Sequence, residues 1–205
     1  MDQSADMKSG LPILGFACAS EWEVWLSQQV PTSQGVWLKL AKKSAATASV
    51  SRQEAIEGAL CHGWIDGQLG RFDEQFWLVR FTPRKRNSKW SEVNRTTVTA
   101  LIEQGRMSPA GIRAVEEAKA DGRWAAAYGP QSTATVPADL QAALDASADA
   151  ARYFGELDWA NRYAILYRVQ DAKNPTTRAQ RIQKFIAMLE RGETIHSRGM
   201  ASRLR

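Results

Sequence analysis

The sequence predicts an α+β fold, a small and mainly antiparallel sheet packed with helices and followed by an all-helical C-terminal unit. Three observations predict it. Val36-Trp37-Leu38-Lys39-Leu40-Ala41-Lys42 alternates with the period of a strand. Two apolar stretches flanking Asp73-Glu74 have the form of a hairpin. Beyond Pro83 apolar residues recur only at helical spacing. At 205 residues, 44% hydrophobic and with eight tryptophans, the chain has enough apolar material for a sizeable core.

The elements follow in order. Pro12 to Ala17 is a short apolar run suited to an opening strand. Ser20-Glu21-Trp22-Glu23 has the spacing of a capping box, with a helix to about Gln29 and Pro31 as its stop. In the strand from Val36, residues Val36, Leu38 and Leu40 share one face. A second capping box, Ser51-Arg52-Gln53-Glu54, opens a helix that carries Cys61 and His62, with Gly67 after Asp66 as its stop. The hairpin pairs 68–72 with 75–82. Its second strand places Phe76, Leu78 and Arg80 on one face and Trp77, Val79 and Phe81 on the other, so both faces are expected to be covered. Helices then follow over 91–104 and from Ser108-Pro109, a pair suited to N-cap and first helical position.

Tyr128 to Pro137, rich in Pro, Gly and small polar residues, is the best linker. This divides the chain into an α+β domain over 11–130, a linker over 131–137 and a helical unit over 138–195, with 1–10 and 196–205 expected to be flexible. The unit's helices span 138–146, 148–157, 159–172 and 177–191, the last with Ile182, Phe185, Ile186 and Leu189 as a core stripe.

Formal charge is +5 and the sequence pI about 9.4, but the charge is segregated. Seven cations face two carboxylates between Arg80 and Arg106, nine face three between Arg168 and Arg205, and the remainder is net acidic. Such segregation suits an anionic partner, either an anionic ligand or a nucleic acid, or else forms a solvated face. No leader pattern and no apolar run near 20 residues is present, so the expected location is the cytoplasm, with no membrane insertion. Cys18 and Cys61 are too few for a disulfide framework and are read as packing thiols.

Arg80, Arg84, Lys85, Arg86, Lys89 and Trp90 form the leading candidate site. Arginine forks bind oxyanions in pairs, a tryptophan face can stack a base, and Asn87 or Ser88 is placed to cap the next helix and turn its positive end toward an anion. The alternative reading is a basic loop over a buried tryptophan. Lys173, Arg178 and Arg181 form a second basic cluster. Cations at a helix start oppose its dipole, so these are expected to be clamped by carboxylates of the first domain such as Asp66 or Glu74.

His62 and Asp66 are weak catalytic candidates. If the helix continues through Asp66 they share a face at i and i+4, and beside Arg80 they would furnish a small-molecule enzyme pocket; otherwise they finish a helix end. Cys61 and His62, adjacent on a helix, diverge by about 100° and do not form a nucleophile–base pair. His62 and His196 are the only histidines, and no HxxxH, HExxH, CxxC, phosphate loop or dinucleotide motif occurs, so neither metal nor cofactor is expected.

Leu140-Gln141-Ala142-Ala143-Leu144 and the stretch from Ala172-Lys173-Asn174-Pro175-Thr176-Thr177-Arg178 through Arg181-Ile182 resemble the bacteriocin-protection, YdeI or OmpD-associated family. Trp64-Ile65-Asp66-Gly67, Arg80-Phe81-Thr82-Pro83-Arg84 and Gly105-Arg106-Met107-Ser108-Pro109-Ala110-Gly111 extend the resemblance to residues 12–195. It implies a protein of the stress or bacteriocin-protection type and defines no reaction; together with the basic-aromatic surface, the expectation is a non-enzymatic binding protein. It assigns no catalytic residues.

Overall fold

In the computed structural model, which describes residues 6–30, 32–130, 134–172 and 174–196, the chain forms two compact units, Met1–Tyr128 and Gly129–Arg205. The first contains β1 (Met7–Lys8), β2 (Leu11–Gly15), α1 (Ala19–Ser27), β3 (Val36–Ala41), α2 (Arg52–Cys61), β4 (Trp64–Arg71), β5 (Phe76–Pro83), α3 (Glu92–Glu103) and α4 (Pro109–Ala120). The sheet runs β1-β2-β3-β5-β4. Only β2 and β3 are parallel, as the intervening helix α1 allows; the remaining pairs are antiparallel.

The strand β1 was expected to be flexible chain. It pairs Met7 with Pro12 and Lys8 with Leu11 across the two-residue turn Ser9-Gly10, whose φ values of 51° and 76° are those of a tight hairpin turn. The Trp37 indole N–H donates to the Lys8 carbonyl at 3.0 Å and the Lys8 ammonium lies 4.8 Å from the Trp37 ring centre, so β1 is held by the edge and by a face of one aromatic ring.

Alternation along β3 decides what each sheet face meets. Val36, Leu38 and Leu40 join Val79 and Phe81 of β5 beneath Trp22 and Leu26 of α1 and Ala55 and Ala59 of α2. The Trp22 indole is saturated there by the Ala55 carbonyl at 3.0 Å and stacks on Trp25 at 5.3 Å. Trp37 and Leu78, on the opposite face, are buried with Leu11, as the two-sided reading of β5 expected. A further layer arises because α2 is apolar on a second side: Leu60 and Cys61 pack with Trp90, with Val98 and Leu101 of α3 and with Val115 and Ala118 of α4.

The Ser51–Glu54 box forms as read, Ser51 Oγ accepting from the Glu54 amide at 3.2 Å and Glu54 from the Ser51 amide at 2.9 Å. The Ser20–Glu23 box does not. Cys18 occupies the N-cap of α1, Glu21 accepts from the Ala17 amide at 2.8 Å, and Glu23 is drawn into a pair with Arg106. Cys18 is exposed, contrary to its reading as a packing residue, whereas Cys61 is buried and burial pushes its thiol up. Pro31 lies outside the described residues.

The second unit holds α5 (Ala138–Asp145), α6 (Ala148–Glu156), α7 (Trp159–Gln170) and α8 (Pro175–Glu190). Ser147, Asp158 and Asn174 cap the last three through their side chains, and Pro175 fills the first position of α8. Leu140, Leu144, Phe154, Ile165, Val169, Ile182, Phe185 and Leu189 interlock as its core. Buried Asn161 accepts from the His196 amide at 2.8 Å and donates to the His196 carbonyl, so the chain is tied down one residue into the tail expected to be flexible.

Candidate functional site

The candidate catalytic pair is separated by one glycine. Gly63 adopts φ 74° and ends α2, with His62 as C-cap, four residues before the expected stop at Gly67. A side chain at residue 63 would also meet the Ala110 carbonyl at 3.0 Å. Asp66 consequently lies on β4, on extended backbone, and shares no helix face with His62. His62 Nδ1 bonds the Gly58 carbonyl at 3.0 Å, while Asp66 lies 3.6 Å from Arg52. Arg80 sits on β5 opposite Trp37. A cleft of about 250 Å³ beside α2 is lined by His62 but by neither Asp66 nor Arg80. The enzyme constellation expected from spacing is therefore not assembled.

The basic segment is built as a rigid turn. The Arg84 amide donates to the Gly63 carbonyl at 2.9 Å, fixing the end of β5 to the end of α2. Ser88 closes the turn, its Oγ accepting from the Lys85 amide at 2.9 Å and its amide donating to the Lys85 carbonyl at 2.8 Å. It does not cap the next helix; Ser91 does, accepting from the Asn94 amide at 3.1 Å. With Ser91 filling the cap and Glu92 in the first turn, the positive end of α3 is already answered by its own residues.

Trp90 requires correction. It is 1% exposed, in T-shaped contact with Trp124 at 4.9 Å, and the Arg84 guanidinium covers it at 3.5 Å. No base can stack on a ring held in that way. Arg84 itself is withdrawn from the surface. Its Nη1 donates to the Lys89 carbonyl at 3.1 Å, its Nε and Nη2 are buried without a hydrogen-bond partner, and desolvation lowers its pKa to about 10. Arg80 is half-buried, with its Nε also unpartnered. Lys85, Arg86 and Lys89 remain exposed, and among the described residues no ion pair holds Lys85 or Arg86. Arg123, which sequence reasoning passed over, donates to the Ser88 carbonyl at 2.9 Å while paired with Asp121, bracing the turn from behind.

The second basic cluster serves its own unit. Arg178 clasps Asp139 with Nε and Nη2 and donates from Nη1 to the Val169 carbonyl at 2.9 Å; Arg181 reaches the Arg168 carbonyl and Asp171. Both donate to carbonyls at the C-terminal end of α7, where a cation is favourable. The partner carboxylate is thus Asp139, and not the expected Asp66 or Glu74. Arg178 holds the Asp139 carboxyl below the usual carboxylate range. Lys173 lies outside the described residues.

Among the described residues, no cluster of three or more His, Cys, Asp or Glu side chains could hold a metal ion, and no helix is long and apolar enough to cross a membrane. Residues 133–192 match the family model described as Bacteriocin-protection, YdeI or OmpD-Associated. Residues 14–114 match a different one, described as Domain of unknown function (DUF8412). The resemblance read across 12–195 therefore divides between two models, and the basic turn falls in the second. No curated protein and no solved structure matches the chain.

Proposed function

We infer, from a chain whose helical C-terminal segment is a bacteriocin-protection, YdeI or OmpD-associated domain, that the α+β unit acts as a binding module for an anionic partner, met at the turn Arg84–Lys89. The observation that carries this reading is the division of labour within the turn. Arg84 is spent as an anchor on Trp90, and that anchor fixes a short loop on which Lys85, Arg86 and Lys89 are exposed, the first two without an ion pair among the described residues. A braced cationic loop loses little side-chain and loop freedom on binding, which is where much of the cost of association lies. With Trp90 buried, recognition rests on charge and phosphate or carboxylate geometry, without base stacking. The cytoplasmic setting belongs to the same proposal.

The test is binding of duplex DNA, as a defined polyanion, to the full chain at low salt, compared with a K85E/R86E/K89E variant. The reading expects binding that weakens at least about tenfold in the variant. Equal binding by both proteins, or no binding by the unaltered chain, would sink it.

A further inference from the structure

We propose that the cleft between the C-terminal end of α2 and α4 is a second site, which takes a small molecule carrying a single carboxylate or phosphate group between Arg84 and Arg113. The guanidinium is planar, and its Nε and Nη2 hydrogens leave along one edge as a parallel pair, the edge that matches the two oxygens of an oxyanion. In Arg84 this edge is the one without a partner: Nη1 is committed to the Lys89 carbonyl, while Nε and Nη2 are buried and unbonded. Stacking at 3.5 Å on Trp90 holds the fork in one orientation. A buried donor pair held rigidly without an acceptor is what a binding site has before its ligand arrives.

The surroundings set the ligand's chemistry. Arg84 and Arg113 line the cleft together, and among the described residues Arg113 has no ion pair or side-chain hydrogen bond. His62 also lines it, with Nδ1 on the Gly58 carbonyl and, among the described residues, no hydrogen bond to Nε2. Glu117, one helical turn beyond Arg113, is the single lining carboxylate. Two arginines, with Glu117 on the wall and the Asp66 carboxylate also acting on Arg84, admit one oxyanion and disfavour a polyanion, whereas Glu117 suits a hydroxyl or amine elsewhere on the ligand. At about 250 Å³ the space falls below the ~300–1,000 Å³ of drug-sized pockets, so the ligand is a small metabolite-sized acid and not a nucleic acid. The fork N–H groups are shielded from solvent, so the oxyanion reaches them only with a local shift of the cleft wall.

This site goes beyond the polyanion reading and can fail separately from it. The experiment titrates inorganic phosphate and, in a second arm, acetate into the isotope-labelled full chain, following the backbone amides of the cleft residues Gly63 and Ala114 in every variant and, where Arg84 is present, its Nε–H resonance, which burial protects from exchange. A saturable shift with dissociation constants near or below about 1 mM is expected for one probe at least, and the better probe identifies the head group. R84K keeps the charge but loses the fork, and R113A alters an exposed position of α4; each should weaken binding by about tenfold or more. K85A/R86A should leave it unchanged. No saturable shift with either probe up to about 20 mM, or shifts that persist unaltered in R84K and R113A, would overturn the proposal.

Discussion

Replacing Arg84 by methionine separates what the residue does for folding from what it does for binding. Burial lowers its pKa to about 10, which places the expense of holding the charge there on the order of 3 kcal/mol. The variant recovers that amount and removes two unpartnered N–H groups. Against it stand the cation–π contact with Trp90, about 1–2 kcal/mol, and the hydrogen bond to the exposed Lys89 carbonyl, about 1.5 kcal/mol. Methionine retains an apolar stem over the indole. The opposing terms nearly cancel, so R84M is expected to change stability by no more than about 1 kcal/mol. Urea unfolding followed by tryptophan fluorescence suits the question, because seven of the eight tryptophans precede Gly129 and the signal reports mainly on the α+β unit. Trp90→Ala supplies the contrast, with an expected loss of about 3–5 kcal/mol. A loss in R84M as large as that in W90A would refute the reasoning: Arg84 would then be a structural keystone, and its unpartnered edge no evidence of binding.

Further outcomes follow from the same geometry. Because the folded-state pKa of Arg84 lies below its unfolded value, the unfolded chain binds the extra proton above about pH 10, so wild-type stability measured against R84M should rise with pH there; a flat difference would contradict the desolvation. Ser51→Ala should destabilise by about 1 kcal/mol and Ser20→Ala by less than about 0.5, since only the first serine caps a helix; equal effects would show that the α1 terminus is misread. Gly111→Ala would drive a Cβ into the Cys61 carbonyl and should cost about 3 kcal/mol in thermal or urea unfolding, an effect that neutrality would exclude. In Arg178→Ala the Asp139 carboxyl should return upward toward its ordinary range in an NMR titration; because the lowered pKa gives stability that fades as pH falls through it, the variant should also lose less stability on acidification.

What the sequence made legible was local. The Ser51–Glu54 box, the alternation of β3, the Asp73 turn and the periodic helices of the C-terminal unit each follow from contacts within a few residues, and each forms as read. What it hid depends on distant partners. Gly63 and Gly67 are equivalent as helix stops by pattern; the approach of α4, which brings Ala110 against Gly63, coincides with the earlier one and places Asp66 on a strand. Glu23 leaves its box because Arg106, far along the chain, offers it a cation. Trp90 among cations reads equally as a stacking platform or as core, and Trp124 packs against it, from a region without strong periodicity. Arg113 and Glu117 were missed as cleft residues because i, i+4 charges on an amphipathic helix look like any solvated face; their one signal is that they flank the buried Val115. The two-residue β1 was beyond pattern recognition, although Ser9-Gly10 is a turn dipeptide.

The central claim, that the braced turn carries the anion-binding charge, is tested most directly by the salt dependence of duplex DNA binding. The logarithm of the association constant is plotted against the logarithm of salt concentration for the unaltered chain and for K85A/R86A/K89A. Each phosphate contact contributes a slope of about −0.9. The account predicts that the variant's slope is shallower by about 2–3. Parallel lines, with the variant binding as the unaltered chain does at every salt concentration, would place the charge that matters elsewhere on the molecule and contradict it.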